Sequence, residues 1–139
     1  MIKLDEVVKS YKIDEETTFY ALKESSVEIK EKEFVSIIGP SGSGKSTLMH
    51  LIGLLDKPTG GEIIVQGRKI SKLNDDQISS LRNEFIGFVF QQFNLIPKLT
   101  AMQNVMLPQE LINVPEKIAK KRATELLTLL GLADRLNHK

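Results

Sequence analysis

The chain has 139 residues, enough for one domain with its own core, and no cysteine, which excludes disulfides and thiolate metal sites. Its 19 Lys and Arg balance 18 Asp and Glu to a formal charge of +1, giving no electrostatic case for nucleic acid or an anionic membrane surface. No stretch approaches the length of a membrane span, and the opening Met1-Ile-Lys-Leu-Asp-Glu6 turns acidic at once, so the sequence reads as soluble and cytoplasmic, with any membrane role coming through a partner.

In chain order, Ile2 to Tyr11 alternates apolar and polar residues as a half-buried strand does. A polar loop follows at Asp14 to Thr18. Phe19 to Lys30 is a second strand, with Leu22, Val27 and Ile29 inward. After a turn at Glu31 to Glu33, the apolar run Phe34-Val-Ser-Ile-Ile38 is expected as a buried strand. Ser46 to Leu55 reads as a helix, Asp56 to Gly61 as a loop, and Glu62 to Gln66 as a strand that Gly67 turns. Asn74 and Gln77 have capping-box spacing and predict a helix to about Asn83. Phe85 to Phe90, rich in aromatic and branched side chains, is expected as a further buried strand. Gln91 to Lys98 is a loop, and Thr100 with Gln103 forms a second capping box. Glu116 to Leu130 is a helix with Ala119, Ala123, Leu126, Leu127 and Leu130 on one face, Gly131 as its C′ residue and a final turn at Leu132 to Leu136. The mixed order of strands and helices predicts an α/β class.

Between the strand at Phe34 and the helix at Ser46 lies Gly39-Pro-Ser-Gly-Ser-Gly-Lys-Ser-Thr47, which meets the phosphate-loop pattern G-x-x-x-x-G-K-[ST]. Without a Cβ, Gly42 and Gly44 let the backbone turn tightly and approach a phosphate. The N–H groups from Gly42 through Ser43, Gly44 and Lys45 to Ser46 then point into one concavity at a helix N-terminus, which suits a diphosphate. Lys45 supplies a mobile positive charge for the β- and γ-phosphate oxygens, Ser46 a hydroxyl for Mg²⁺, and Thr47 one for the α-phosphate.

A second signature narrows the class. Gly87-Phe-Val-Phe-Gln-Gln-Phe-Asn-Leu-Ile-Pro97, an apolar strand ending in Gln and followed by an aromatic and a Pro, resembles the Q-loop of ABC-transporter ATPases. Ile2 to Tyr11 is similar to the strand that carries that family's A-loop aromatic, and Thr100 to Pro108 to the opening of its helical subdomain. The wording around Gln91 and from Asn104 to Pro108 is closest to the branch serving macrolide export, lipoprotein release and peptide-resistance exporters. The resemblance runs from Met1 to Lys139. It implies an incomplete P-loop NTPase core with an N-terminal antiparallel β-region: about 1–38 leading into the P-loop strand, 39–91 from P-loop to Q-loop, and 92–139 opening the helical subdomain.

The resemblance also implies roles. Tyr11 would stack on adenine, the alternative being a plain strand-end aromatic. Gly39, Ser41 and the rest of the loop to Thr47 would hold ATP and Mg²⁺. Gln91 would reach the Mg²⁺ and the attacking water, and so stands with Lys45 as a catalytic candidate and with Ser46 as a metal candidate. Phe93 to Leu99 would lie near the groove for a permease's coupling helix, the alternative being that Phe93, Leu95 and Ile96 are local core. The full-length form would be a homodimer on the inner face of the membrane.

Other family elements have no match. There is no Leu-Ser-Gly-Gly-Gln signature loop. The apolar runs ending at Asp56 and Asp134 contain Gly and lack the Glu that follows a Walker B strand, and neither His50 nor His138 fits the switch His. The chain therefore looks like the front half of such an ATPase, and three expectations follow: no ATP turnover alone, no ATP-dependent sandwich dimer, and unpaired strand edges. A GTPase is disfavoured because D-x-x-G and N-K-x-D are absent, and a small-molecule kinase because Arg82, Arg122 and Arg135 are scattered. A non-catalytic remnant that binds nucleotide or permease shares every residue with the leading reading.

Overall fold

The computed structural model describes residues 1–139 and divides into two compact units, Met1–Val89 and Phe90–Lys139. The first is built on a four-stranded antiparallel sheet of order β2-β1-β3-β4. Its strands are β1 (Ile2–Lys12), β2 (Thr18–Ile29), β3 (Gly60–Val65) and the short β4 (Arg68–Lys69). β1 is central and pairs Ile2 with Ile29 on one side and with Val65 on the other.

The inward pattern of β1 breaks strict alternation, since Leu4 and Val7 lie three apart and are both fully buried. A bulge between them resolves this: the ladder shifts register there, and Glu6 takes φ 48°. The partner strand shows the same device. Leu22 and Val27 share the core although five residues apart, with Glu24 at φ 42° between them. One extra residue per bulge returns each strand's apolar side chains to a single face.

Three helical elements cover that face. Helix α1 (Lys45–Ile52) contributes Leu51, and Leu54 follows just beyond it. A 3₁₀ turn at Ile70–Lys72 buries Ile70. Helix α2 (Asp75–Phe85) contributes Ile78 and Leu81. These side chains join Leu4, Val7, Leu22, Ile63 and Val65 in one cluster. The expected capping box is present, with the Gln77 amide donating to Asn74 Oδ1 at 2.9 Å and the Asn74 amide to Gln77 Oε1 at 3.0 Å.

Two expected strands do not form. Phe34 to Ile38 is neither helix nor strand; Phe34 is 99% exposed and Ile38 nearly as open. In the second segment, α2 runs on through Phe85, and Ile86 to Phe90 adopts no ladder. Only Ile86 packs on the main cluster, while the ring of Phe88 closes over Gly53, where an added Cβ would come within 2.6 Å. A strand is defined by its neighbours' hydrogen bonds. All four strands of this chain are committed to the antiparallel sheet, so these runs have no parallel partner.

The second unit is a helical pair, α3 (Ala101–Glu110) and α4 (Glu116–Leu129). Met106, Ala119 and Ala123 are its buried centre, with Met102, Val105 and Val114 packed around them. Small residues on α4 let the two helices approach. The second capping box also forms, with the Gln103 amide donating to Thr100 Oγ1 and the Thr100 amide to Gln103 Oε1. The amides of Ala101 and Met102 donate to the carbonyls of His138 and Leu136, so the C-terminal tail satisfies the opening of α3. Gly131 has φ 73° and donates to the Thr128 carbonyl, as a C′ residue does. Leu130 departs from expectation: it is 73% exposed, because the buried face of α4 ends at Leu127.

Candidate functional site

The glycine loop forms a cavity of about 550 Å³ lined by Ser41, Gly42, Gly44, Lys45, Ser46 and Thr47 together with Phe19 and Ala21. Gly44 is the N-cap of α1, in the left-handed region at φ 85°, and no side chain caps the helix. The amides of the first turn of a helix have no intrahelical partners, so they open onto this cavity as anion donors. Gly44 is required twice over: besides its φ, an added Cβ would stand 2.6 Å from the Ala21 carbonyl oxygen. Ala21 is the bulged residue of β2, without a Cα partner between Tyr20 and Leu22, and its carbonyl meets the phosphate loop there.

Lys45 folds back over the loop. Its Nζ donates to the carbonyls of Gly39 at 2.8 Å and Pro40 at 2.6 Å, and to Ser43 Oγ at 3.4 Å. The loop thus pre-orders its own cation with neutral acceptors. An anionic phosphate oxygen is a stronger acceptor than a carbonyl and would draw the ammonium across. Ser46 is exposed and Thr47 half-buried. No group of three or more His, Asp or Glu is gathered to hold a metal, and Ser46 brings a hydroxyl to the cavity.

Sequence reasoning missed Phe19 and Ala21, which wall the cavity from β2. Their place is set by the register of the β1–β2 hairpin, which pattern alone does not reveal. Tyr11 does not line the cavity, but it is the direct cross-strand partner of Phe19. Its hydroxyl donates to Asp56 Oδ2 at 3.2 Å, and Lys9 Nζ sits 5.0 Å from its ring centroid. Asp56 also accepts from Lys9 Nζ at 2.7 Å and from the Lys57 amide at 2.7 Å. Burial pushes the Asp56 carboxyl up, but the bonds from Lys9, the Lys57 amide and Tyr11, with the charge of Lys9, hold it below the ordinary aspartate value.

Gln91 belongs to the second unit, exposed in a bend outside any helix or strand. Phe93 is 90% exposed and Leu95 and Ile96 are open too, so the local-core alternative for these side chains does not hold. The loop is nevertheless fixed. Asn104 Oδ1 accepts from the Ile96 amide at 2.9 Å, and its Nδ2 donates to the carbonyls of Ile96, Leu99 and Thr100. One half-buried side-chain amide therefore holds a loop that presents apolar side chains to solvent.

Comparison with known proteins places this geometry. The protein-family profile described as "ABC transporter" matches residues 22–139. An uncharacterised ABC transporter ATP-binding protein of Thermotoga maritima is 50% identical over the whole chain. The lipoprotein-releasing system ATP-binding protein LolD of Bacteroides thetaiotaomicron is 42% identical over the whole chain. The chain spans about 60% of the length of these two relatives. The macrolide export ATP-binding/permease protein MacB of Bdellovibrio bacteriovorus is 46% identical, with 21% of its length covered. Among solved structures, the ATP-binding cassette MJ0796, in a dimeric post-hydrolysis state bound to ADP and Pi, superposes with a TM-score of 0.86 at 51% identity, over all of this chain and 61% of that one.

Proposed function

This chain belongs to the ABC transporter ATP-binding family, and from that premise we propose that it is the ATP-binding part of a subunit that couples ATP binding and hydrolysis to a membrane permease. The observation that carries the reading is the glycine-loop cavity at the uncapped start of α1, with Lys45 already gathered over it. Gly39 to Thr47 take the phosphates. The amides from Gly42 to Ser46 and the Lys45 ammonium bind the β- and γ-phosphate oxygens, which the helix N-terminus favours. Thr47 takes the α-phosphate, Ser46 gives a hydroxyl to Mg²⁺, and Tyr11 covers the base. Mg²⁺ held by Ser46 would supply charge neutralisation to the phosphates. Gln91 is the residue that would sense the ion and the attacking water.

The exposed side chains of Phe93, Leu95 and Ile96 support a permease contact along residues 93–99. No helix is long and apolar enough to cross a membrane, so a permease partner would hold the subunit at the cytoplasmic face. Export of a lipoprotein, peptide or drug fits the names of the relatives. Homodimerisation belongs to the longer form. These 139 residues carry no signature loop and no Walker B carboxylates, so by themselves they bind nucleotide and do not hydrolyse it.

Calorimetric titration of the chain with Mg–ATP tests this. Saturable binding is expected, reduced about tenfold or more in Lys45→Ala, which loses charged hydrogen bonds worth about 1.5–3 kcal/mol. Phosphate release should stay at background. Turnover that disappears in Lys45→Ala would contradict the inactivity, and absence of ATP binding would contradict the reading itself.

A further inference from the structure

We infer that Asp56 and Lys9 are positioning residues for Tyr11, and that they tie its ring to the segment that follows the helix carrying the phosphate loop. The inference rests on the reading above, in which the cavity takes a nucleotide and Tyr11 meets its base.

Lys9 and Asp56 form the most enclosed ion pair of the chain, with side chains 11% and 33% exposed. Lys9 Nζ donates to Asp56 Oδ1 at 2.7 Å and to the Lys57 carbonyl at 2.8 Å, and it lies over the Tyr11 ring. Asp56 Oδ2 takes the Tyr11 hydroxyl. The ring is therefore held at its tip by a carboxylate and on one face by a cation. A face-on cation and a bond at the hydroxyl both favour this one ring position. Tyr11 remains 43% exposed, which leaves the face away from Lys9 for a flat ring.

The anchor is itself fixed to the phosphate loop. Between α1 and Asp56, the amides of Gly53, Leu54 and Leu55 donate to the carbonyls of Met49, Leu51 and His50. Beyond it, the Thr59 amide donates to the Val8 carbonyl at 2.8 Å, and the Ser10 amide to Thr59 Oγ1 at 2.7 Å. The segment after α1 is thus clamped to β1 on both sides of Lys9. Lys45 opens α1, and Asp56 directly follows the turn that closes it. The distance from phosphate cradle to aromatic ring is set by that helix and turn, not by the β1–β2 hairpin alone.

The discriminating experiment compares a ligand with a base to one without. Mg–ATP and Mg–tripolyphosphate are titrated calorimetrically into the chain and into Tyr11→Phe, Asp56→Asn and Tyr11→Ala. A parallel titration uses a Tyr20→Phe background, in which Tyr11 is the only tyrosine and there is no tryptophan, so emission reports that ring alone. Tyr11→Phe and Asp56→Asn are each expected to weaken ATP about three- to tenfold, the range for one lost hydrogen bond, with tripolyphosphate unchanged within about twofold. The double variant should weaken ATP by less than the product of the two single effects, because Tyr11 and Asp56 share one contact. ATP should quench Tyr11 emission, and Asp56→Asn should reduce that quench. Tyr11→Phe exchanges only a hydroxyl on an exposed ring, so it reads out even if Asp56→Asn folds poorly. If Tyr11→Ala weakens ATP while Tyr11→Phe does not, the positioning role is overturned and the base contact stands. If Tyr11→Ala leaves ATP binding unchanged, the inference falls while the phosphate-loop reading stands; if the chain binds neither ligand, the nucleotide reading fails and the inference with it.

Discussion

The antiparallel sheet and the two apolar runs at Phe34 to Ile38 and Ile86 to Phe90 are made of similar residues and end in opposite states. Ile63 in β3 has no exposed surface, whereas Phe34 in the first run is almost wholly in solvent. Both segments are short, apolar and rich in branched or aromatic side chains. What separates them is partnership: β3 has β1 on one side and β4 on the other, and Phe34 to Ile38 has no ladder. An apolar run of strand-forming residues specifies a need for neighbours, and the neighbours decide whether it becomes a strand.

The largest effect should separate these two regions directly. Ile63→Ala empties part of the packed cluster and is expected to cost about 2–5 kcal/mol, while Phe34→Ala should stay within about 0.5 kcal/mol, as exposed substitutions do. Urea unfolding of both variants checks this. Comparable losses would mean that Phe34 is packed in solution and the contrast is wrong.

Gly44→Ala probes a close approach of sheet and phosphate loop. Strain at φ 85° and the contact with the Ala21 carbonyl predict a loss of about 1–3 kcal/mol, together with weaker Mg–ATP binding in calorimetry. A stable variant with full affinity would show that the loop does not depend on this approach.

Acid should act on the sheet side first. Asp56 and Glu62 both bind protons less readily in the fold than ordinary carboxyls. Burial of Glu62 acts upward, but bonds from Ser71 and the Ile63 amide, with the charge of Lys69, outweigh it. A depressed folded pKa contributes stability that is fully present above the unfolded value, about 4, and is lost as pH falls through the folded one. Stability measured from pH 6 down to pH 3 should therefore decline below about pH 4, and less steeply in Asp56→Asn. An identical slope in that variant would detach Asp56 from the acid response.

The smallest change in stability is expected from Phe34→Ser with Ile38→Ser. Unfolding midpoints should hardly move, yet binding of a dye specific for exposed apolar surface should fall. An unchanged dye signal would place the open apolar surface elsewhere, such as Phe93 and Leu95.

Much of the molecule was legible before its structure. The phosphate-loop motif, both capping boxes, Gly131 as a helix terminator, three helices and the start of the fourth follow from local rules, because turn chemistry and capping act within a few residues. The sheet was legible in part. Its strands show in the pattern, but its bulges do not. Those at Glu6 and Glu24 bring Val7 to the same face as Leu4, and Val27 to the same face as Leu22, and they depend on pairing across the hairpin. The candidate site divides the same way. Gly39 to Thr47 could be named from spacing, whereas Phe19, Ala21 and the Asp56–Lys9 anchor could not, since they meet the loop or Tyr11 through contacts between residues far apart in sequence.

By itself the sequence determined where the proposed phosphate cradle lies, since a glycine loop followed by Lys45 and a helix start stands within nine residues. Tertiary structure alone decided which apolar runs became strands, which aromatic walls the cavity, and what holds Tyr11. Those outcomes depend on hydrogen-bond ladders and side-chain contacts that long-range pairing creates, and a local pattern can request such partners without supplying them.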